Sequence, residues 1–113
     1  MNEAYSLGPL EKDIMDIVWQ RKKVSVRDIH NTLKNKREIA YTTVMTIMTR
    51  LFDKGLLKRK KQGMAYIYLP DQSKEQIIHK SVKSVIDSFV NKFGREAVVA
   101  FTDELDKIQK KND

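Results

Sequence analysis

The chain contains no cysteine. Disulfides, thiolate zinc sites and cysteine nucleophiles are therefore excluded. Only 4 glycines and 2 prolines occur among 113 residues, too few for a low-complexity chain. Gly8, Gly55, Gly63 and Gly94 are far apart, so no phosphate-cradling loop can form, and each suits a turn. No apolar run approaches the roughly 20 residues that span a bilayer. The stretch Met1 to Lys12 lacks the basic start and apolar core of a secretion signal, so a cytoplasmic location without membrane insertion is expected. His30 and His79 have no ligand partner at helical spacing, so neither metal nor cofactor is expected. Glu11, Asp13 and Asp16 read as a solvated helix face, and no spacing suggests a Ser/His/Asp triad. An enzyme is not expected.

What is present in excess is positive charge. Lys and Arg number 22 against 15 Asp and Glu, giving +7. Residues 1–70 hold 14 of those cations and 7 of the acids, whereas residues 71–113 hold 8 of each. The net charge thus sits in the first part, which is expected to meet a polyanion. Two units follow: residues 1–70, which carry the net charge, and residues 71–113, which are neutral in sum.

The apolar periodicity predicts a first helix from Pro9 to Arg21, with Leu10, Ile14, Ile17 and Val18 at helical spacing and Met15 and Trp19 in the core. Ser25 and Asp28 form a capping-box pattern ahead of a second helix, Val26 to Lys34. A third helix covers about 41–54, with Val44, Ile47, Met48 and Leu51 on one stripe and Gly55 as its C-terminal cap. Leu56 to Lys61 and Met64 to Leu69 are strand-like and turn at Gln62-Gly63. Ser73 opens a long amphipathic helix that Gly94 interrupts, and a further helix holds Val98, Phe101 and Leu105. Lys110 to Asp113 reads as a disordered tail.

Three helices followed by a basic hairpin is the winged-helix order. The fold class expected is mainly α with a small β-hairpin wing, a winged helix-turn-helix with C-terminal dimerisation helices. Helix three can enter a major groove with Thr42, Thr43, Met45, Thr46 and Thr49 outward. Threonine hydroxyls bond several bases, and their methyls pack on the thymine methyl. Arg50, Arg27 and Tyr41 are candidates for phosphate contact. Arg50 has the alternative of pairing with Asp53 or Asp16, and Tyr41 of stapling the core. The wing, residues 57–69, carries Lys58 to Lys61, of which Lys60 and Lys61 lie nearest the tip.

These residues also carry a resemblance. Leu10-Glu11, Ile14-Met15, Ile17 and Val18-Trp19 resemble the start of the penicillinase-repressor family, which includes β-lactamase, methicillin-resistance and copper-responsive repressors. Tyr41 through Thr46, Thr49-Arg50-Leu51 and Lys54-Gly55-Leu56 are similar to its recognition helix, and Tyr66 through Pro70 to the end of its wing. The resemblance is close over residues 7–70 and looser beyond. It implies a transcriptional repressor that binds a pseudo-palindromic double-stranded DNA operator as a homodimer.

The chain departs from the family in three places. Without cysteine, the copper-responsive route is excluded. The resemblance implies a membrane-sensor protease as inducer, cutting at an Asn-Phe bond, but Asn91 precedes Lys92 and the nearest match is Ala100-Phe101. Met45 stands where those repressors tend to have a basic residue, so a different base preference is expected.

The wide apolar face of the fourth helix asks for a partner on its own account. Ile78, Val82, Val85, Ile86, Phe89, Val90 and Phe93, with Val98, Phe101 and Leu105, are the expected dimerisation residues. The alternative from another class is a winged-helix module that docks protein or RNA without operator specificity. Few stacking aromatics on the presumed face argue against it.

Overall fold

The structure is a computed structural model that describes residues 7–112. Its elements are α1 (Pro9–Arg21), α2 (Val26–Leu33), α3 (Tyr41–Asp53), β1 (Leu57–Gln62), β2 (Ala65–Pro70), α4 (Lys74–Phe93) and α5 (Arg95–Asn112).

Local chemistry explains where the helices begin and end. Pro9 occupies the first turn of α1, and the Glu11 carboxylate accepts the Gly8 N–H at 3.3 Å. Ser25 and Asp28 close a reciprocal capping box on α2, with bonds of 3.1 and 2.9 Å. Ser73 and Gln76 do the same for α4, at 3.0 and 2.9 Å. Gly55, at φ 83°, ends α3. Its N–H donates to Phe52 O and the Leu56 N–H to Leu51 O, both at 3.0 Å, which is the Schellman pattern.

The strands pair antiparallel from Leu57 opposite Pro70 to Gln62 opposite Ala65. The loop is therefore Gly63-Met64, one residue later than Gln62-Gly63. Gly63 has φ 64° and Met64 is not in the positive region, the pattern of a type II′ turn with glycine first. Placing the left-handed residue first moves the loop by one residue and each cross-strand partner by two, so that Lys61 faces Tyr66 and not Met64.

One core ties these pieces together. Ile14, Met15 and Val18 of α1, Ile29 and Leu33 of α2, and Val44, Met48 and Leu51 of α3 are buried. Leu56, Leu57 and Tyr68 add the base of the hairpin, and Val24 exchanges two backbone bonds with Tyr68, at 3.0 and 2.7 Å. The root of α4 joins the same core through Ile77. Trp19, expected in the core, is half-buried, and its Nε1–H donates to Gln72 O at 3.0 Å. An indole on this boundary buries its ring and still satisfies its donor.

Beyond that root, α4 and α5 leave the core. The radius of gyration is 17.5 Å, against about 13 Å for a compact chain of this length. Gly94, at φ 65°, turns the chain between them, and Phe89 meets Phe93 and Phe101 at ring distances of 6.1 and 5.6 Å. The expected disordered tail is instead helical to Asn112, while Asp113 lies outside the described residues. Pairs one turn apart, Glu104 with Lys107 and Asp106 with Lys110, support this last stretch.

The acids of α1 are not a solvated face. Glu11 pairs with Lys54 at 2.9 Å, Asp13 with Arg37, and Asp16 with both Lys12 at 2.8 Å and Lys74 at 3.4 Å. Each carboxylate thus ties α1 to another element or braces its own turn. The hydrogen bond from Lys12 holds the Asp16 carboxyl below its ordinary range, against a smaller burial effect, with Lys74 adding to it.

Two predictions follow from this packing. Gly55→Ala should lower unfolding free energy by about 1–2 kcal/mol in urea titration, because alanine is strained in the left-handed region. No atom lies within 4 Å of the added methyl, so the cost is purely conformational. Asp16 stabilises the fold above its ordinary value of 3.8, and this contribution is lost as pH falls through its lowered value. Asp16→Asn should therefore flatten the fall of the urea midpoint on acidification.

Candidate nucleic-acid interface

α3 is two-sided. Val44 and Met48 are fully buried, whereas Tyr41, Thr42, Thr43, Met45, Thr46 and Arg50 are exposed and Thr49 is half-buried. The sequence-derived candidates on this helix thus fall on its open side. The Thr46 hydroxyl donates to Thr42 O at 2.9 Å. Its outward capacity is then the oxygen lone pairs and the methyl, suited to base amino groups and to thymine.

The beginning of α3 is unlike that of the other described helices. α1, α2, α4 and α5 carry Glu11, Asp28, Glu75 and Glu96 in their first turns. α3 has no acid there, and its N-cap is Ala40, which offers no side-chain bond. Its positive end is left for an external anion. His30 fixes the approach to it. One ring nitrogen lies 2.9 Å from Ile39 O, and the ring stands edge-on to Tyr41 at 5.6 Å.

A groove of about 500 Å³ runs between α3, the N-terminus of α2 and the hairpin. Arg27, Tyr41, Met45 and Thr49 line it from the helices, and Arg59, Met64 and Tyr66 from the wing. The last three were not singled out as site residues from sequence. The single Arg in a run of lysines was the one signal for Arg59. Its guanidinium carbon lies 3.9 Å from the Phe52 ring centroid and 4.2 Å from that of Tyr66.

Strand alternation separates the wing lysines. Lys61 lies opposite Tyr66 and shares the face of Arg59 and Leu57, the face turned toward α3. Lys60 lies opposite Ile67 and shares the other face with Lys58. Arg50 pairs with neither Asp53 nor Asp16, and Asp16 is taken by Lys12 and Lys74. Among the described residues, Arg27, Arg50, Lys58, Lys60 and Lys61 make no ion pair, and no cluster of three or more His, Asp or Glu could hold a metal. No described helix is long and apolar enough to cross a membrane.

The proposed dimerisation residues lie along α4 and α5. Ile78, Val82, Phe89, Phe93, Val98 and Leu105 are exposed, while Val85, Ile86, Val90 and Phe101 are half-buried. Val85, Phe89, Phe93, Ala97 and Phe101 border an apolar hollow of about 490 Å³ between the two helices.

A family model described as penicillinase repressor matches residues 7–112. The chain belongs to the penicillinase repressor family. Within it, this member is 35% identical over 79 residues to the transcriptional regulator BlaI of Mycobacterium tuberculosis, covering 69% of this chain and 57% of that protein. The chain thus spans little more than half the length of that relative. It is 27% identical over 108 residues to the methicillin resistance regulatory protein MecI of Mammaliicoccus sciuri, covering 96% and 88% of the two chains. The solution structure of the DNA-binding domain of the repressor BlaI superposes with a TM-score of 0.58 at 22% identity, over 66% of this chain and 90% of that one. That likeness shows the winged-helix fold.

The opposite facing of Lys60 and Lys61 predicts unequal effects on binding to duplex DNA. Lys61→Ala should reduce the slope of log affinity against log salt by about 0.9 for each chain bound, the contribution of one phosphate. Lys60→Ala should leave the slope near the wild-type value. Equal changes in fluorescence-anisotropy titrations would place both lysines on one phosphate track, against the strand geometry.

Proposed function

We propose that the chain is a sequence-specific, double-stranded DNA-binding transcriptional repressor that acts as a homodimer on a pseudo-palindromic operator. The observation that carries this reading is α3 itself: an open threonine face, an uncapped positive end and unpaired cations on both sides. α3 enters the major groove, where Thr42, Met45 and Thr46 meet base edges. Arg27, Arg50 and the first N–H groups of α3 hold phosphates, which set register without reading sequence. The wing follows the flanking backbone.

The dimer is supported by surface that a monomer has no use for. The chain exposes 8242 Å², against about 6,400 Å² for a compact monomer of this mass. Phe93, Leu105 and Ile108 are 60%, 58% and 56% exposed, a continuous apolar cost along α4 and α5. Covering this face with the same face of a second copy gives a two-fold pair. Its two α3 helices then meet half-sites about 34–36 Å apart, or a multiple of that. In this reading residues 1–70 bind DNA and 71–113 pair the chains, with Ile77 linking the two. The penicillinase repressor family, and the solved DNA-binding domain of the repressor BlaI, agree with this reading.

Induction by cleavage at an Asn-Phe bond is not part of the proposal. Ala100-Phe101 lies inside α5 with the Phe101 ring against Phe89, so that bond is held in helix.

Selection from a randomised duplex pool at two salt concentrations, with sizing of the recovered complex, tests the reading. The expected result is a two-fold symmetric motif carrying two chains. Binding that ignores sequence and fades with salt would contradict operator recognition.

A further inference from the structure

We infer that Arg59 is a positioning residue that clamps the wing to α3 and so sets where the wing meets flanking DNA. The inference rests on the operator reading for its DNA half only. The run Lys58 to Lys61 places four cations on one strand, yet Arg59 alone among them is half-buried. Its guanidinium lies between the Phe52 ring of α3 and the Tyr66 ring of β2, at 3.9 and 4.2 Å from their centroids. Arginine suits this place because its planar group stacks on both faces at once, which a lysine ammonium does not.

The position of this stack in the hairpin gives it leverage. An isolated two-stranded hairpin is marginal in water and needs packing against another element. The base has that packing through Leu57 and Tyr68, which are buried. From Lys60 through Tyr66 every residue is exposed, and Met64 at the tip is 99% so. Arg59 is thus the last partly covered residue of β1 before the tip, and the layer it forms with Phe52 and Tyr66 is the outermost ring contact between wing and α3 among the described residues. Phe52 lies on the last turn of the helix whose open face would read bases. A change in the stack therefore moves the wing relative to the reading helix, and the wing lysines move with it.

Arg59→Lys and Arg59→Ala separate this role from phosphate contact. In the free protein, hydrogen exchange should quicken at the wing amides of both variants while α1 and α3 core amides keep their protection. For DNA, the probes are a long duplex that the wild-type chain selects from a randomised pool and the same duplex trimmed to the bases under α3. Both variants should lose about tenfold in affinity for the long duplex and little for the trimmed one. Arg59→Lys binding like wild type, while Arg59→Ala loses about 0.9 of salt slope for each chain bound, would make Arg59 a phosphate ligand and overturn the clamp. Unchanged exchange at the wing overturns it without reference to DNA. A wild-type chain that selects no duplex refutes the operator reading and the DNA half with it, while wing exchange still decides the clamp.

Discussion

α3 is buried along one stripe, Val44, Ile47, Met48 and Leu51, and open along the other, Thr42, Met45, Thr46 and Arg50. This one-sided burial constrains the rest of the molecule. The buried stripe needs α1 and α2 behind it, and they supply Ile14, Met15, Val18, Ile29 and Leu33. The wing must leave the open side clear yet stay attached, so only its base enters the core, through Leu57 and Tyr68. A β-branched, polar surface is poor helix chemistry, since threonine loses side-chain freedom there. The packing on the opposite stripe holds the helix in spite of it.

Charge is organised around the same helix. The carboxylates of α1 take up Lys12, Arg37, Lys54 and Lys74. Mostly exposed pairs of this kind add little stability one by one. Their larger effect is on distribution, because the cations left without acidic partners include those around α3 and along the wing. Part of the excess of +7 in the sequence thereby stands around α3 and the wing. The segment 71–113, neutral in sum, contributes apolar surface instead, and the two kinds of surface stand at different parts of the chain.

Most of the fold was legible in the sequence because its signals are local. Periodicity gave α1 and α3 to within one residue, Ser25-Asp28 and Ser73-Gln76 marked helix starts, and Gly55 and Gly94 marked ends. The open side of α3 followed from the same periodicity. What was not legible depended on distance in sequence or on a half-turn of geometry. Glu11, Asp13 and Asp16 looked solvated because their partners Lys54, Arg37 and Lys74 are remote in the chain. The hairpin loop lies one residue later, and each cross-strand partner two residues later, because Gly63 takes the first loop position, not the second. Arg59 was hidden in a lysine run, since nothing in the run announces that Phe52 and Tyr66 lie on either side of it. Polarity alone makes the tail look loose, although turn-spaced ion pairs carry the helix to Asn112.

In the proposed complex, two copies of the open α3 face lie in the major groove of one duplex. Guanine N7 methylation interference on a bound duplex tests it most directly, because that atom sits on the major-groove floor. Two clusters of blocking guanines are predicted, related by two-fold symmetry and separated by a helical turn or a multiple of it. Binding indifferent to N7 methylation, with interference confined to phosphate ethylation, would contradict major-groove reading by α3.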